Sequence, residues 1–183
     1  KIKTLNRCTL EKNLSFKRSL LGKIVKKIFY TINLNKKNAK HQIIVSENSC
    51  LDLVLNNEKD VFNELSYICK KEYNCYECTT NLIKSSMNNF IVENGIVLIN
   101  TIVNQIKQNY LVFFRLKDHV KFYARSQVTA DMVFAVFTPK SLGSSNRLQI
   151  ISKVSRILKK NNIRNAIKGA NNAEDVIALL ITA

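Results

Sequence analysis

This sequence predicts an α/β (α+β) fold: a three-layer α/β/α sandwich in which a mixed central sheet carries helices on both faces. Two apolar runs, Tyr110–Leu116 and Met132–Thr138, are nearly continuous, the mark of strands covered on both sides. Helix-period stripes stand on either side of them in the chain. Val61, Phe62, Leu65, Ile68 and Cys69 form the first, and Leu148, Ile151, Val154 and Leu158 the second. Helices that precede and follow buried strands each need a sheet face to cover.

Taken in order, Leu51, Leu53 and Leu55 alternate with Asp52 and Val54, as in a short strand. Asn57 can cap a helix running to about Lys71, and a second helical segment is expected from Tyr76 to Ser86. Three strands follow, over Ile96–Ile99, Tyr110–Leu116 and Met132–Thr138. Pro139 closes the last, because it has no N–H to give to a ladder. After the Lys140–Ser145 loop, Ser144 or Ser145 is the expected N-cap of a helix to about Lys160. Asn162–Lys168 and Ala173–Leu180 read as two shorter helices, separated by Gly169–Ala170–Asn171–Asn172.

The charge is unevenly spread. Residues 1–40 hold 12 Lys/Arg against the single acid Glu11, whereas residues 41–183 hold 17 against 12. Residues 1–41 therefore read as a basic N-terminal extension, partly helical or disordered, and residues 42–183 as the domain. Within the extension, Leu20, Leu21, Ile24, Val25 and Ile28 share a helical face, with Lys23, Lys26 and Lys27 largely away from it. Such a stretch can bind nucleic acid or an anionic membrane, pack on its own domain, or remain a tail. No apolar run is long enough to span a bilayer, and lysines interrupt the only one resembling a secretory signal, so a cytoplasmic protein is expected. Lys1 rather than Met opens the chain, as a fragment or a processed end would. The five cysteines, odd in number and irregular in spacing, read as reduced thiols. Cys75–Tyr76–Glu77–Cys78 could still be a redox pair or half of a zinc site. Tetrahedral zinc needs two further ligands, and no second C-x-x-C or His pair follows.

Glu93–Asn94–Gly95–Ile96–Val97–Leu98–Ile99–Asn100 resembles the active-site strand of the fructose/mannitol-type (type-2) IIA proteins of the bacterial phosphotransferase system, a family that includes nitrogen regulatory IIA proteins. The family pattern is roughly N-G-[IV]-A-[IL]-P-H. Five further blocks agree in order and at nearly the family spacing: Asn57–Leu65, Phe114–Phe122, Ala130–Pro139, Arg147–Leu148 with its helix, and Ile163–Ala166 with Ala173–Ile177. The resemblance spans roughly residues 42–183. It implies a fold in which a histidine at the end of the quoted strand accepts a phosphoryl group. Asn100 stands in that position, Ile99 in the preceding proline's, Arg147 in that of a second active-site histidine, and Lys84 in that of an arginine sixteen residues before the acceptor.

A carboxamide nitrogen is not basic and cannot attack a phosphohistidine on a carrier protein. Lys84 and Arg147 could still offer charge to an anion, Lys84 without the planar fork of arginine. His41 and His119 are the remaining imidazoles, and both read as solvated residues. The resemblance implies no cofactor, metal or directly bound sugar. It implies protein partners, among them the histidine phosphocarrier protein or a regulated kinase or transporter. The leading expectation is a regulatory IIA-type domain that binds partners without accepting phosphate. A surviving phosphoryl carrier, a basic adaptor working through residues 1–40, and a gene product under no functional constraint are the other readings.

Overall fold

The computed structural model describes residues 30–33, 42–46, 49–79, 83, 91–93, 95–123 and 127–183. Seven strands form one sheet: β1 (Tyr30–Asn33), β2 (Gln42–Val45), β3 (Cys50–Leu53), β4 (Ile91–Glu93), β5 (Ile96–Val103), β6 (Asn109–Tyr123) and β7 (Gln127–Pro139). The order is β1-β2-β6-β7-β5-β4, with β3 also on β6. The pairs β1/β2, β6/β7 and β4/β5 are antiparallel, whereas β2/β6, β3/β6 and β5/β7 are parallel. The sheet is therefore mixed, as expected. β2 and β3 lie end to end along β6. Between them the Ser46 N–H donates to the Leu111 carbonyl at 2.8 Å, and the Ser49 hydroxyl accepts from the Phe113 N–H at 3.2 Å. β1 falls within the stretch expected to be an extension, yet it pairs with β2 residue for residue, from Tyr30 with Val45 to Asn33 with Gln42. The amphipathic stretch around residues 20–28 lies outside the described residues.

Four helices are described: α1 (Glu58–Tyr73), α2 (Ser144–Lys159), α3 (Asn161–Gly169) and α4 (Ala173–Thr182). Alternation along the strands sends neighbouring side chains to opposite faces. Val97, Ile99, Val112, Phe114, Val133, Ala135 and Phe137 pack with Val61, Phe62, Leu65 and Ile68 of α1. Leu98, Leu111, Phe113, Phe134 and Val136 pack instead with Ile150, Val154 and Leu158 of α2, Ile163 and Ile167 of α3, and Val176 and Leu180 of α4. These are the three layers the sequence predicts.

Asn57 is the N-cap of α1, its Oδ1 accepting from the Asp60 N–H at 3.0 Å. Asn172 does the same for α4 through Asp175, at 2.8 Å. The expected cap of α2 is different. A 3-10 turn over Lys140–Leu142 brings Gly143 to the N-cap with φ +80°, so Ser144 is already helical and the end has no side-chain cap. The helix expected over Tyr76–Ser86 also differs. Residues 76 and 77 form a turn and 78 and 79 are not helical, because α1 ends at Asn74 (φ +50°) and the chain reverses there. Ile83 is helical, and the other residues of 80–86 lie outside the described residues.

Candidate functional site

β5 begins at a tight turn. Glu93 and Ile96 are paired across two residues, the second being Gly95 with φ +84°. The Gly95 carbonyl accepts from the Asp131 and Met132 N–H groups at 3.0 and 3.1 Å, which fixes the register of β5 on β7. From there the parallel ladder is unbroken, from Ile96 with Met132 to Val103 with Pro139. Ile99 continues it as an ordinary strand residue, fully buried and in register with Ala135.

Asn100 is in register with Val136, one residue pair further on, and shares the face of Leu98 and Val136. That face is the one covered by α2. Its Oδ1 is buried and has no hydrogen-bond partner among the described residues, and the same holds for the hydroxyls of Thr101 and Thr138. The end of the sheet where β5 and β7 finish is thus its polar end. Arg147, on the first turns of α2, reaches back so that Nη1 donates to the Lys140 carbonyl at 3.3 Å. Lys140 directly follows β7, so Asn100 and Arg147 are gathered at the same end of the sheet. Lys84 and His41 lie outside the described residues.

Large apolar side chains are exposed at this end: Ile102 on β5 is 43% exposed, and Tyr76 and Leu148 are each 68% exposed. Leu148 departs from the buried stripe expected of it. Residues 150, 151, 154 and 158 cover the sheet, leaving Leu148 beside Arg147 at the rim. Spacing alone cannot distinguish a rim position from a covered one, so Leu148 carried no separate signal. Below the same sheet end, on the α1 face, Tyr73 stacks on Tyr110 with ring centroids 3.8 Å apart. The Ser46 hydroxyl donates to Glu72 Oε2 at 2.7 Å. Burial first, and then the Glu72 charge, push the phenols of Tyr73 and Tyr110 and the thiol of Cys69 above their ordinary ranges.

His119 is at the other end of the molecule. It lies within β6, not in a connection between strands. Leu116–His119 bulge opposite the single residue Asp131, between the pairs Arg115–Met132 and Val120–Ala130. Its imidazole is 63% exposed, with Nε2 3.7 Å from Asp131 Oδ2, and Lys168 Nζ is 3.5 Å from the same oxygen. Asp131 bonds to Gly95, five residues before Asn100, a distance of about 16 Å along a strand. Nearby, Arg115 forms a bidentate pair with Asp52, at 3.0 and 2.9 Å, and donates to the Ile167, Lys168 and Ala170 carbonyls that end α3. This guanidinium ties the helical layer to the sheet and is structural.

Cys75 and Cys78 are joined as a disulfide, a correction to the expectation of reduced thiols, and both are fully buried. Cys69 is a buried free thiol. Among the described residues no group of three or more His, Cys, Asp or Glu is placed to hold a metal ion, and no helix is long and apolar enough to cross a membrane.

The model of the family described as "Phosphoenolpyruvate-dependent sugar phosphotransferase system, EIIA 2" matches residues 42–183. Among solved structures, nitrogen regulatory protein IIA-Ntr from Neisseria meningitidis is similar at a TM-score of 0.62 and 18% identity, over 74% of this chain and 95% of that one. The mannitol-specific cryptic IIA CmtB of Escherichia coli is similar at 0.58 and 9%, over 74% and 92%. The Escherichia coli complex of mannitol enzyme IIA with phosphorylated enzyme IIB gives 0.61 and 9%, over 77% and 99%. A search of curated protein sequences returns no match. At these identities the structural likenesses establish the fold.

Proposed function

We propose, from the premise that this chain belongs to the EIIA type-2 family of the phosphoenolpyruvate-dependent sugar phosphotransferase system, that it is a nitrogen-regulatory-type IIA domain that docks to protein partners and takes no phosphoryl group. The observation that carries the reading is Asn100, on β5 at the position where the family pattern calls for the acceptor histidine. Its amide nitrogen is delocalised into the carbonyl and has no lone pair to attack phosphorus, and phosphoryl acceptance needs a nucleophile before it needs charge stabilisation. Its neighbours still suit a partner. Ile102 and Leu148 offer exposed apolar surface, while Arg147 and the uncapped start of α2 offer positive charge to an acidic side chain. The mannitol IIA of similar fold is found in complex with a IIB protein, which supports docking as a use of this fold.

A second reading, a phosphoryl carrier with a relocated acceptor, has one observation in its favour: exposed His119 faces the Asp131 carboxylate. One experiment separates the two. The full chain and an Asn100→His variant are each mixed with a phosphorylated histidine-carrier protein and followed by intact mass. No gain by the natural chain, with gain by the variant, is the expected result. A phosphoryl group mapped to His119 or His41 of the natural chain would overturn the proposal.

A further inference from the structure

We infer that Cys75 and Cys78 form a redox-modifiable pair whose oxidation state sets the packing of the turn beside the docking end of the sheet. α1 terminates with the Asn74 and Cys75 N–H groups both directed at the Cys69 carbonyl. Cys75, Tyr76, Glu77 and Cys78 close on themselves through the disulfide. The small ring is then held on two sides. Toward α1, the Ser66 hydroxyl donates to the Cys78 carbonyl at 2.6 Å. Toward β5, the Tyr76 N–H donates to Gln105 Oε1 at 2.9 Å, while Asn104 donates its backbone N–H and its side-chain amide to the Glu77 carboxylate. Asn104 and Gln105 directly follow the strand that carries Asn100. The ring and the end of that strand are therefore one hydrogen-bonded unit.

Reduction by a dithiol breaks the sulfur–sulfur bond. Two electrons and two protons pass to the cysteine sulfurs, and the reductant leaves as its own disulfide. Two bonded sulfurs become two non-bonded S–H groups that need more room. Both sit fully buried among the side chains packed beneath α1, and a close-packed interior does not expand. What can give is the exposed side of the ring, Tyr76 and Glu77, and with it the bonds to Asn104 and Gln105. Cys69 does not relay the exchange. Its thiol is buried and held protonated, and the thiolate is the attacking species. The pair therefore exchanges without Cys69. Any effect of its state on partner binding rests on the docking role proposed above, whereas the rearrangement itself does not.

The test uses the full chain, air-oxidised or reduced with dithiothreitol, and a Cys75→Ser/Cys78→Ser variant. Amide hydrogen exchange is read at Tyr76 and Asn104, and at Val133 and Phe134 in the central strand as a reference for global opening. Expected are at least tenfold faster exchange at Tyr76 and Asn104 on reduction, an unchanged reference, and the same acceleration at those two amides in the variant without reductant, which leaves the disulfide of Cys50 intact. Equal exchange in both states would overturn the inference. So would acceleration at the reference amides by the same factor, which would mean global rather than local loosening. Differential alkylation showing Cys75 and Cys78 still as thiols after diamide treatment would overturn it as well.

Discussion

Asn100 lies within β5, between the fully buried Ile99 and Thr101, and its buried Oδ1 has no hydrogen-bond partner among the described residues, so the carboxamide there is not explained by packing. Gly95, in the turn that opens the strand, is constrained more tightly. Its φ of +84° disfavours any L side chain, and a Cβ there would lie 3.0 Å from Asp131 Oδ1. A left-handed conformation raises the energy of alanine by about 1–2 kcal/mol, and the close approach adds to it. Gly95→Ala is expected to lower stability by about 1–3 kcal/mol, read as a shift of the urea midpoint at constant m-value. In an Asp131→Ala background the steric part disappears and the conformational part remains, so the penalty should shrink without vanishing. An unchanged penalty in that background would show that the carboxylate yields freely.

At the scale of the element, β5 departs most informatively from its family pattern, because Ile99 replaces the proline. The Gly95 carbonyl points to β7, and backbone groups of alternate residues in a strand point to the same side. The Ile99 N–H therefore faces β7 as a ladder donor. Ile99→Pro removes that donor from a fully buried position and restricts Leu98 as well. Destabilisation of about 1–3 kcal/mol from the buried acceptor left without a partner is expected by denaturant titration. An unchanged midpoint would mean that this part of the strand tolerates the family's proline geometry. The long elements were legible because their periodicity is strong: α1, α2, β6 and β7 bury continuous stripes or runs. The short strands β1 and β4 were not, since pairing with a neighbour rather than local pattern makes them. The His119 bulge was hidden for a similar reason, because the four residues Leu116–His119 are seen to bulge only against the single residue Asp131 on the partner strand. At the site, Asn100 and Arg147 could be named from the sequence through the family pattern. The exposed Ile102, Leu148 and Tyr76 and the buried hydroxyls of Thr101 and Thr138 could not, because exposure at a sheet end depends on what the helices leave uncovered.

At the scale of the whole molecule, folding removes ionisable groups from water beneath the polar sheet end, and this gives stability a definite pH dependence. The Tyr73 phenol oxygen is buried between α1 and β6, and burial with the Glu72 charge raises its pKa. The unfolded chain ionises this phenol at about pH 10, while the folded protein keeps the proton. Above that pH the unfolded state binds fewer protons than the folded one, so stability is lost as pH rises. One such group contributes a slope of up to about 1.4 kcal/mol per pH unit. The raised Cys69 thiol starts the decline earlier, from about pH 8.5, and Tyr110 adds to it alongside Tyr73. The net charge of +16 works in the opposite direction, because lysines discharge in the same range and relieve mutual repulsion. Tyr73→Phe separates the effects, since it leaves the lysines, Cys69 and Tyr110 in place and removes one buried phenol. Urea unfolding of both proteins from pH 8 to 11 at fixed salt should give parallel stability curves below about pH 10 and a shallower one for the variant above it. Curves that stay parallel throughout would show that water reaches the Tyr73 hydroxyl in the folded protein, and that the stacked tyrosines do not seal the sheet end.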